Sequence, residues 1–337
     1  MLRNLFFLVL ILLICQYSAA QQQRFSFTVP KMGSPFTIVL YADDSIKANR
    51  IVQHCFALTD SLVAILSDYI DSSELNRLCA RAGTGEWFFC SPVLYEIMQD
   101  SKFAYEKSMG SFDICLGPLT RLWRKARKEN KFPADIEVKE KKALTGFNKI
   151  QFDTTKHAVR LLQTGMQLDF GGIGQGYIAQ KVIDYLKDQQ VRNALVDASG
   201  DIVCIGSPPG KKGWTVAINL PENEHELLPK QLLITDKAVT TSGDLFQYME
   251  HGAKRYSHII DPGTGYGVTS QRNVTVITKY GTDADWLATA CSILPIKKAL
   301  KLGKKEHASI LIATMDDEKI ITHKSKNFDK YFQKKQS

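Results

Sequence analysis

Residues 168–176, which read Leu-Asp-Phe-Gly-Gly-Ile-Gly-Gln-Gly, constrain this chain more than any other stretch. One carboxylate, Asp169, is followed by Gly171, Gly172, Gly174 and Gly176. Beyond them, residues 177–186 place apolar side chains at helical spacing. The pattern predicts a strand end, a glycine turn and a helix start. Glycine lacks a Cβ and lets the backbone approach a ligand closely. A helix N-terminus offers free N–H groups and a partial positive charge that suit a phosphate. The same residues also serve a tight turn that packs a helix on a sheet, and the stretch alone leaves both readings open. Two phosphate-binding patterns are excluded. After Gly172-x-Gly174 a dinucleotide fingerprint needs glycine at 177, which is Tyr177, and no Gly-Lys-Ser/Thr follows as a P-loop requires.

The 337 residues have a hydrophobic content of 44%, enough to bury a sizeable core in one large domain or two. The formal charge of +8 comes from well-mixed acids and bases, with lysines gathered toward the C-terminal end (Lys297, Lys298, Lys301, Lys304, Lys305, and from Lys324 onward). No nucleic-acid-binding motif accompanies them, so they read as a solvated surface and nucleic acid is not an expected partner. The N-terminus has the form of a leader: Arg3, an apolar run over 5–14, and Ser18-Ala19-Ala20 as a cleavage site. The run is shorter than the roughly 20 residues of a membrane span. Residues 1–20 are read as a signal peptide, 21–24 as a linker and 25–337 as the folded domain. The mature chain is expected outside the cytoplasm, in the periplasm or at the extracytoplasmic face of the inner membrane. Cys15 raises the alternative of a lipid anchor, but Ile14 precedes it where a small residue is expected, so cleavage after Ala20 is preferred. Cys55, Cys79, Cys90, Cys115, Cys204 and Cys291 are scattered without a Cys-x-x-Cys, which argues against a zinc site and a dense disulfide framework.

Strands and long helices mix without regular βαβ alternation, which predicts an α+β fold. Residues 24–41 read as two strands about a turn that holds Met32. Residues 44–67 form a long amphipathic helix with Ile51, Cys55, Leu58, Leu62 and Ile65 on one stripe. Tyr69 follows in a turn before Ser72 or Ser73 caps the next helix. Residues 91–110 are another helix, and 125–131 a polar surface stretch. A hairpin over 149–152 and 158–162 leads into the glycine turn. Further strands are expected at 194–197, 202–204, 214–219, 308–313 and 319–322.

Three short stretches carry chemistry. In Gly110-Ser111-Phe112-Asp113, the aspartate sits among apolar neighbours and needs a partner, because an unpaired buried charge is costly. His258 lies in an expected strand beside the Asp261-Pro262 turn; by itself such a histidine is more often a satisfied core residue. In residues 282–289, Thr282 caps a helix, and Asp283 and Asp285 suit its positive end. Asp285 and Thr289 are four apart and share one helical face. A carboxylate and a hydroxyl there are hard oxygen donors suited to Mg²⁺.

Taken together and in order, these motifs resemble the ApbE family, the FAD:protein FMN transferases. The motifs are Met32-Gly33-Ser34-Pro35, Ser73-Glu74-Leu75-Asn76, Gly110-Ser111-Phe112-Asp113 with Gly117-Pro118-Leu119, residues 168–176, Ser242-Gly243, residues 258–265 and residues 283–290. The resemblance spans residues 25–312. It implies one compact domain of mixed or antiparallel sheets flanked by helices, with a FAD cleft between two sub-lobes. It implies Mg²⁺-dependent transfer of FMN from FAD, through a phosphoester, to a threonine or serine hydroxyl of an acceptor flavoprotein, with release of AMP. The implied acceptor is a subunit of a membrane-bound redox complex. Met32, Tyr69, Ser111, Phe112, Asp113, Asp169, Gln175, His258, Ile259 and Ile260 would line the FAD site. Asp285, Thr289 and the Gly172 carbonyl would hold Mg²⁺. His258 and Asp169 are the candidates for the general base. Position 175 departs from the family pattern, with Gln175 where relatives often carry a charge. Two alternatives use the same site: a Mg²⁺-dependent FAD pyrophosphatase, and an extracytoplasmic protein that binds FAD without turnover.

Overall fold

A single hairpin sets up two layers at once. In the computed structural model, which describes residues 22–221, 227–243, 247–252, 254–316 and 319–333, β1 (Gln23–Lys31) pairs antiparallel with β2 (Ser34–Ala42). β1 takes up Gln23 and Arg24 from the expected linker; the expected leader and Cys15 lie outside the described residues. Phe36, Ile38 and Leu40 of β2 are buried in one apolar cluster and Val39 in another, the period of two that a strand imposes. α1 (Ser45–Leu66) lays Ala48, Ile51, Cys55 and Leu62 into the first cluster. Asp44 caps it by accepting from the Lys47 N–H at 2.7 Å. α2 (Glu74–Ala80) starts on Ser73, which accepts from the Asn76 N–H at 3.0 Å. β3 (Phe88–Phe89) and α3 (Pro92–Lys107), capped by Ser91, follow.

Two helices come next that the sequence reading lacks. α4 (Gly117–Glu129) points Leu119, Trp123 and Ala126 inward, and α5 (Asp135–Ala143) meets it through Val138. The polar surface stretch 125–131 is therefore the end of an amphipathic helix, with Ala126 buried and Lys125, Lys128, Glu129, Asn130 and Lys131 exposed. It stops at Asn130, whose left-handed backbone (φ 49°) breaks the helix. β4 (Ile150–Asp153) and β5 (Ala158–Leu161) join β3 in a three-stranded sheet. No strand leads into the glycine turn. Residues 166–170 are irregular and are held by the Asp169 N–H, which donates to the Ile114 carbonyl at 2.8 Å. α6 (Gly174–Asp188) starts among the glycines themselves.

β6 (Ala194–Ala198), β7 (Asp201–Ile205), β8 (Trp214–Pro221), β9 (Leu227–Ile234), β10 (Lys237–Gly243), β11 (Tyr248–His251), β12 (Lys254–Ser257) and β13 (Arg272–Thr278) follow. Then come α7 (Gly281–Ile293), α8 (Ile296–Lys305), β14 (Ser309–Asp316) and β15 (Lys319–Lys324). The main sheet runs β1-β2-β6-β7-β10-β13-β14-β15 with every neighbouring pair antiparallel. The first apolar cluster joins it to α1, α3, α6, α7 and α8. The second joins the other face to the β8–β9 hairpin through Trp214, Val216 and Leu232. A third, smaller cluster holds α4 and α5 against the β11–β12 hairpin through Trp123, Val138, Met249 and Ile260. This is the expected α+β architecture. The six described cysteines are all free.

Candidate active site

The residues singled out by sequence converge where α6 and α7 cross. Gly176 in the first turn of α6 lies so close to Gly281 that a Cβ on Gly176 would stand 2.3 Å from the Gly281 carbonyl oxygen and 2.7 Å from the Asp285 Cβ. Only glycine permits that approach. The two helices cap each other. Asp285 Oδ2 accepts from the Gly176 N–H at 2.9 Å, and Gln180 Oε1 accepts from the Gly281 N–H at 2.9 Å. Thr282, expected as the cap of α7, lies inside it, and neither helix has a local side-chain cap.

Further bonds in the glycine turn weaken its phosphate reading. The Gly171 N–H donates to Asp169 Oδ1 at 2.7 Å. The Ile173 and Gly174 N–H groups donate to the Phe170 carbonyl at 3.0 and 2.7 Å. The Gln175 and Gly176 N–H groups face Asp285. The N–H groups of Gly171, Ile173, Gly174, Gln175 and Gly176 are thus engaged within the protein, which leaves the turn few donors for a phosphate.

The surroundings of Asp285 favour a cation. A carboxylate over a helix N-terminus is well placed, yet burial, with the Asp201 charge behind it, pushes the Asp285 pKa well above the carboxylate range. Asp201, at the start of β7, is buried too. Burial, with Asp197 adding, raises it to about 7, although the Thr240 hydroxyl donates to it at 2.5 Å. Neither carboxylate has an ion-pair partner among the described residues. Thr289 closes the group: a Cβ on Gly172 would lie 2.8 Å from its Oγ1. Two buried carboxylates, a hydroxyl and glycine-turn backbone form an all-oxygen donor set that fits a hard divalent cation. Among the described residues no three His, Cys, Asp or Glu side chains form a metal-binding group, so hydroxyl and backbone oxygens would complete the shell.

The opposite wall is already neutralised. Arg124 of α4 pairs with Asp68 at 2.6 Å and with Asp169 at 2.5 Å, and lies over the Tyr69 ring, 4.4 Å from its centroid. Burial raises the Asp68 pKa, and the Asp169 charge adds to it, against the pull of Arg124. Burial works against the Arg124 charge, but Asp169 and Asp68 outweigh it and raise its pKa. Arg127 lines the same cleft, its side chain without a hydrogen bond or ion pair among the described residues; burial and the Arg124 charge lower its pKa. Asp113 has its partner, the Cys115 N–H at 2.8 Å, and burial raises its pKa. His258 stands just past the end of β12 and not within a strand. Its Nδ1 lies 3.2 Å from the Gln247 carbonyl oxygen, and burial, with Arg127 adding, lowers its pKa.

These walls enclose a cleft of about 450 Å³. Tyr69, Ser111, Phe112, Asp113, Asp169, Gly172, Gln175, His258, Ile259, Ile260, Asp285 and Thr289 all line it. Met32 does not. It occupies the left-handed turn (φ 52°) between β1 and β2, and that turn touches the cleft through the contact of the Ser34 and Ser199 hydroxyls. Sequence reasoning missed Asp68, Arg124, Arg127 and Thr240, and passed over Asp201. A signal for the arginines exists: Thr120, Arg124 and Arg127 recur at i, i+4 and i+7 on a polar stripe about 100° round the helix from Leu119, Trp123 and Ala126.

The ApbE family model matches residues 32–312. The chain is 30% identical over 300 residues to a FAD:protein FMN transferase of Klebsiella pneumoniae (strain 342), covering 88% of this chain and 92% of that relative. It is 29% identical over 313 residues to a FAD:protein FMN transferase of Treponema pallidum (strain Nichols), covering 87% and 86%. The crystal structure of Pseudomonas stutzeri flavinyl transferase ApbE, apo form, is similar with a TM-score of 0.82 at 28% identity, covering 94% of this chain and 98% of that one. The glycine turn, the mutually capped helices and His258 all fall inside the matched span, and the chain belongs to the ApbE family.

Proposed function

We propose that the chain transfers FMN from FAD to a threonine or serine hydroxyl of an acceptor flavoprotein, forming a phosphoester and releasing AMP. One observation carries the reading: Asp285 and Asp201 are buried without a positive partner beside Thr289 and the Gly172 backbone. The names borne by the relatives, FAD:protein FMN transferase, support it. Asp285, Thr289 and the Gly172 carbonyl would hold Mg²⁺, which when bound supplies positive charge at the pyrophosphate.

The chain's own residues do the rest. Arg127, free of other anions, meets phosphate oxygen in place of the occupied N–H groups of the turn. Tyr69, 75% exposed and backed by Arg124, and Phe112 offer ring faces to the flavin or adenine. His258 takes the proton of the acceptor hydroxyl. Burial keeps its imidazole neutral. A carbonyl cannot donate, so Nδ1–H donates to Gln247 and the Nε2 lone pair remains free. Asp169 suits this role less, because Arg124 and the Gly171 N–H engage both its oxygens. The hydroxyl oxygen attacks the FMN phosphorus, the bond from that phosphorus to the AMP oxygen breaks, and the proton passes to Nε2.

The leader sequence supports a reaction outside the cytoplasm, and the resemblance supports a subunit of a membrane-bound redox complex as acceptor. The test is AMP release from FAD by residues 21–337, with Mg²⁺ or EDTA, and with or without a threonine-bearing acceptor domain. Transfer predicts AMP and covalent flavin only with Mg²⁺ and acceptor together. AMP with Mg²⁺ alone would indicate a FAD pyrophosphatase. Bound FAD with no AMP in any tube would leave a FAD-binding protein.

A further inference from the structure

We propose that a second cleft, of about 780 Å³, seats the segment of the acceptor protein that flanks the receiving hydroxyl; this rests on the transferase reading above. Two walls join this cleft to the first. Ile293 lines both. It follows Asp285 and Thr289 at four-residue steps, so the three share one face of α7. At 1.5 Å per residue, Ile293 lies about 6 Å along the axis from Thr289. The chain just past β12 forms the other shared wall. Tyr256 and Asp261 line the second cleft, and His258, Ile259 and Ile260 between them line the first. A hydroxyl carried along the second cleft therefore arrives between His258 and the Asp285–Thr289 face, where transfer requires it.

The chemistry of the cleft suits a polypeptide. Its floor is aromatic: Phe132, Tyr256 and Tyr266 surround the buried Trp123, with ring centroids 5.2, 6.0 and 5.9 Å away. Rigid aromatic surface of this kind is what protein interfaces concentrate at their centres. Thr269 and Ser270 stand exposed at the rim and offer hydroxyls to an extended backbone. A second nucleotide fits poorly, because Asp135 and Asp261 line the walls with Lys254 and His251 as the basic side chains, and Asp135 accepts from the Tyr266 hydroxyl.

The test fills this cleft without touching the first. Thr269→Trp and Ser270→Trp change exposed side chains that line only the second cleft. The enzyme is residues 21–337. The probe is an acceptor domain that carries FMN on a threonine by phosphoester, prepared in its unflavinylated form. We expect KM for this domain to rise at least tenfold in both variants, with KM for FAD and kcat within twofold of wild type. If either tryptophan variant fails to fold, Lys254→Glu at the rim carries the same test with the same split. An acceptor KM within twofold of wild type in the folded variants overturns the proposal. So does a parallel rise in KM for FAD, which would mean that the first cleft had been disturbed. If the wild-type protein transfers no FMN at all, the failure belongs to the transferase reading, is visible before any variant is compared, and removes this proposal with it.

Discussion

Asp169 and Asp285 stand at opposite ends of one glycine turn, and their electrostatic surroundings are opposite. Asp169 has a guanidinium at 2.5 Å and a backbone N–H at 2.7 Å. Asp285 has backbone N–H groups, a second buried carboxylate nearby and no cation among the described residues. The first carboxylate is part of a finished ion-pair group that shapes a wall. The second is unfinished: its buried charge is destabilising, with no compensating cation among the described residues. The same residue type a few ångströms from the same loop is thus structural in one place and receptive in the other.

Substitutions can break this contrast. The largest effect is expected for Asp285→Ala: Mg²⁺-dependent AMP release should fall by at least about 10²-fold, the scale of losing one preorganised electrostatic contact. In EDTA its stability should stay within about 1 kcal/mol of wild type, because the lost cap is offset by relief of a buried charge. Near-normal turnover would remove Asp285 from the metal site. Asp169→Ala should do the reverse on stability. It leaves Arg124 with Asp68 alone, and urea unfolding should show a loss of about 1–3 kcal/mol even without Mg²⁺. Equal stability losses for the two alanine variants would erase the distinction drawn here.

Smaller effects sharpen the picture. Arg127→Gln should weaken FAD binding about tenfold, the scale of one charge-assisted contact, and leave riboflavin binding unchanged, since riboflavin has no phosphate. Equal weakening of both ligands would make Arg127 a structural residue. The smallest effect concerns pH. The His258 pKa lies below its ordinary value, so the imidazole is neutral above that pKa and charges as pH falls through it. The acid limb of kcat/KM should therefore fall below pH about 6.5. In Arg127→Gln the limb should move to higher pH, because the repelling charge is gone. A limb above pH 6.5 in wild type would argue against His258 as the base.

Much of this arrangement is legible in the sequence, for physical reasons. Period-two alternation over Phe36–Leu40 and Ser or Asp caps ahead of amphipathic runs are local signals, and the structure follows them at β2, α1, α2 and α3. What local reading misses is supplied from elsewhere in the chain. Thr282 has the right chemistry for a cap, but Gln180 of another helix does the capping, and α7 begins at Gly281. The glycines point to phosphate only while their N–H groups are assumed free; Asp169, Phe170 and Asp285 engage those of Gly171, Gly174 and Gly176. Arg124 and Arg127 read as solvated charges until α4 turns one face into the cleft.

The mutual capping of α6 and α7 also bears on the timing of activity during synthesis. Its two bonds join residues 109 and 101 apart in sequence. A ribosome adding about 5–20 residues per second exposes the glycine turn about 5–20 s before the carboxylate that completes it. Until then Gly176 lacks its acceptor, and the proposed cation site lacks its carboxylate. A chain cut short before residue 285 would carry the glycine turn, Arg124 and the flavin-facing wall, yet remain inert. With the proposed role of Asp285, catalytic competence is a late event, withheld from fragments and nascent chains alike until most of the polypeptide has been made and joined.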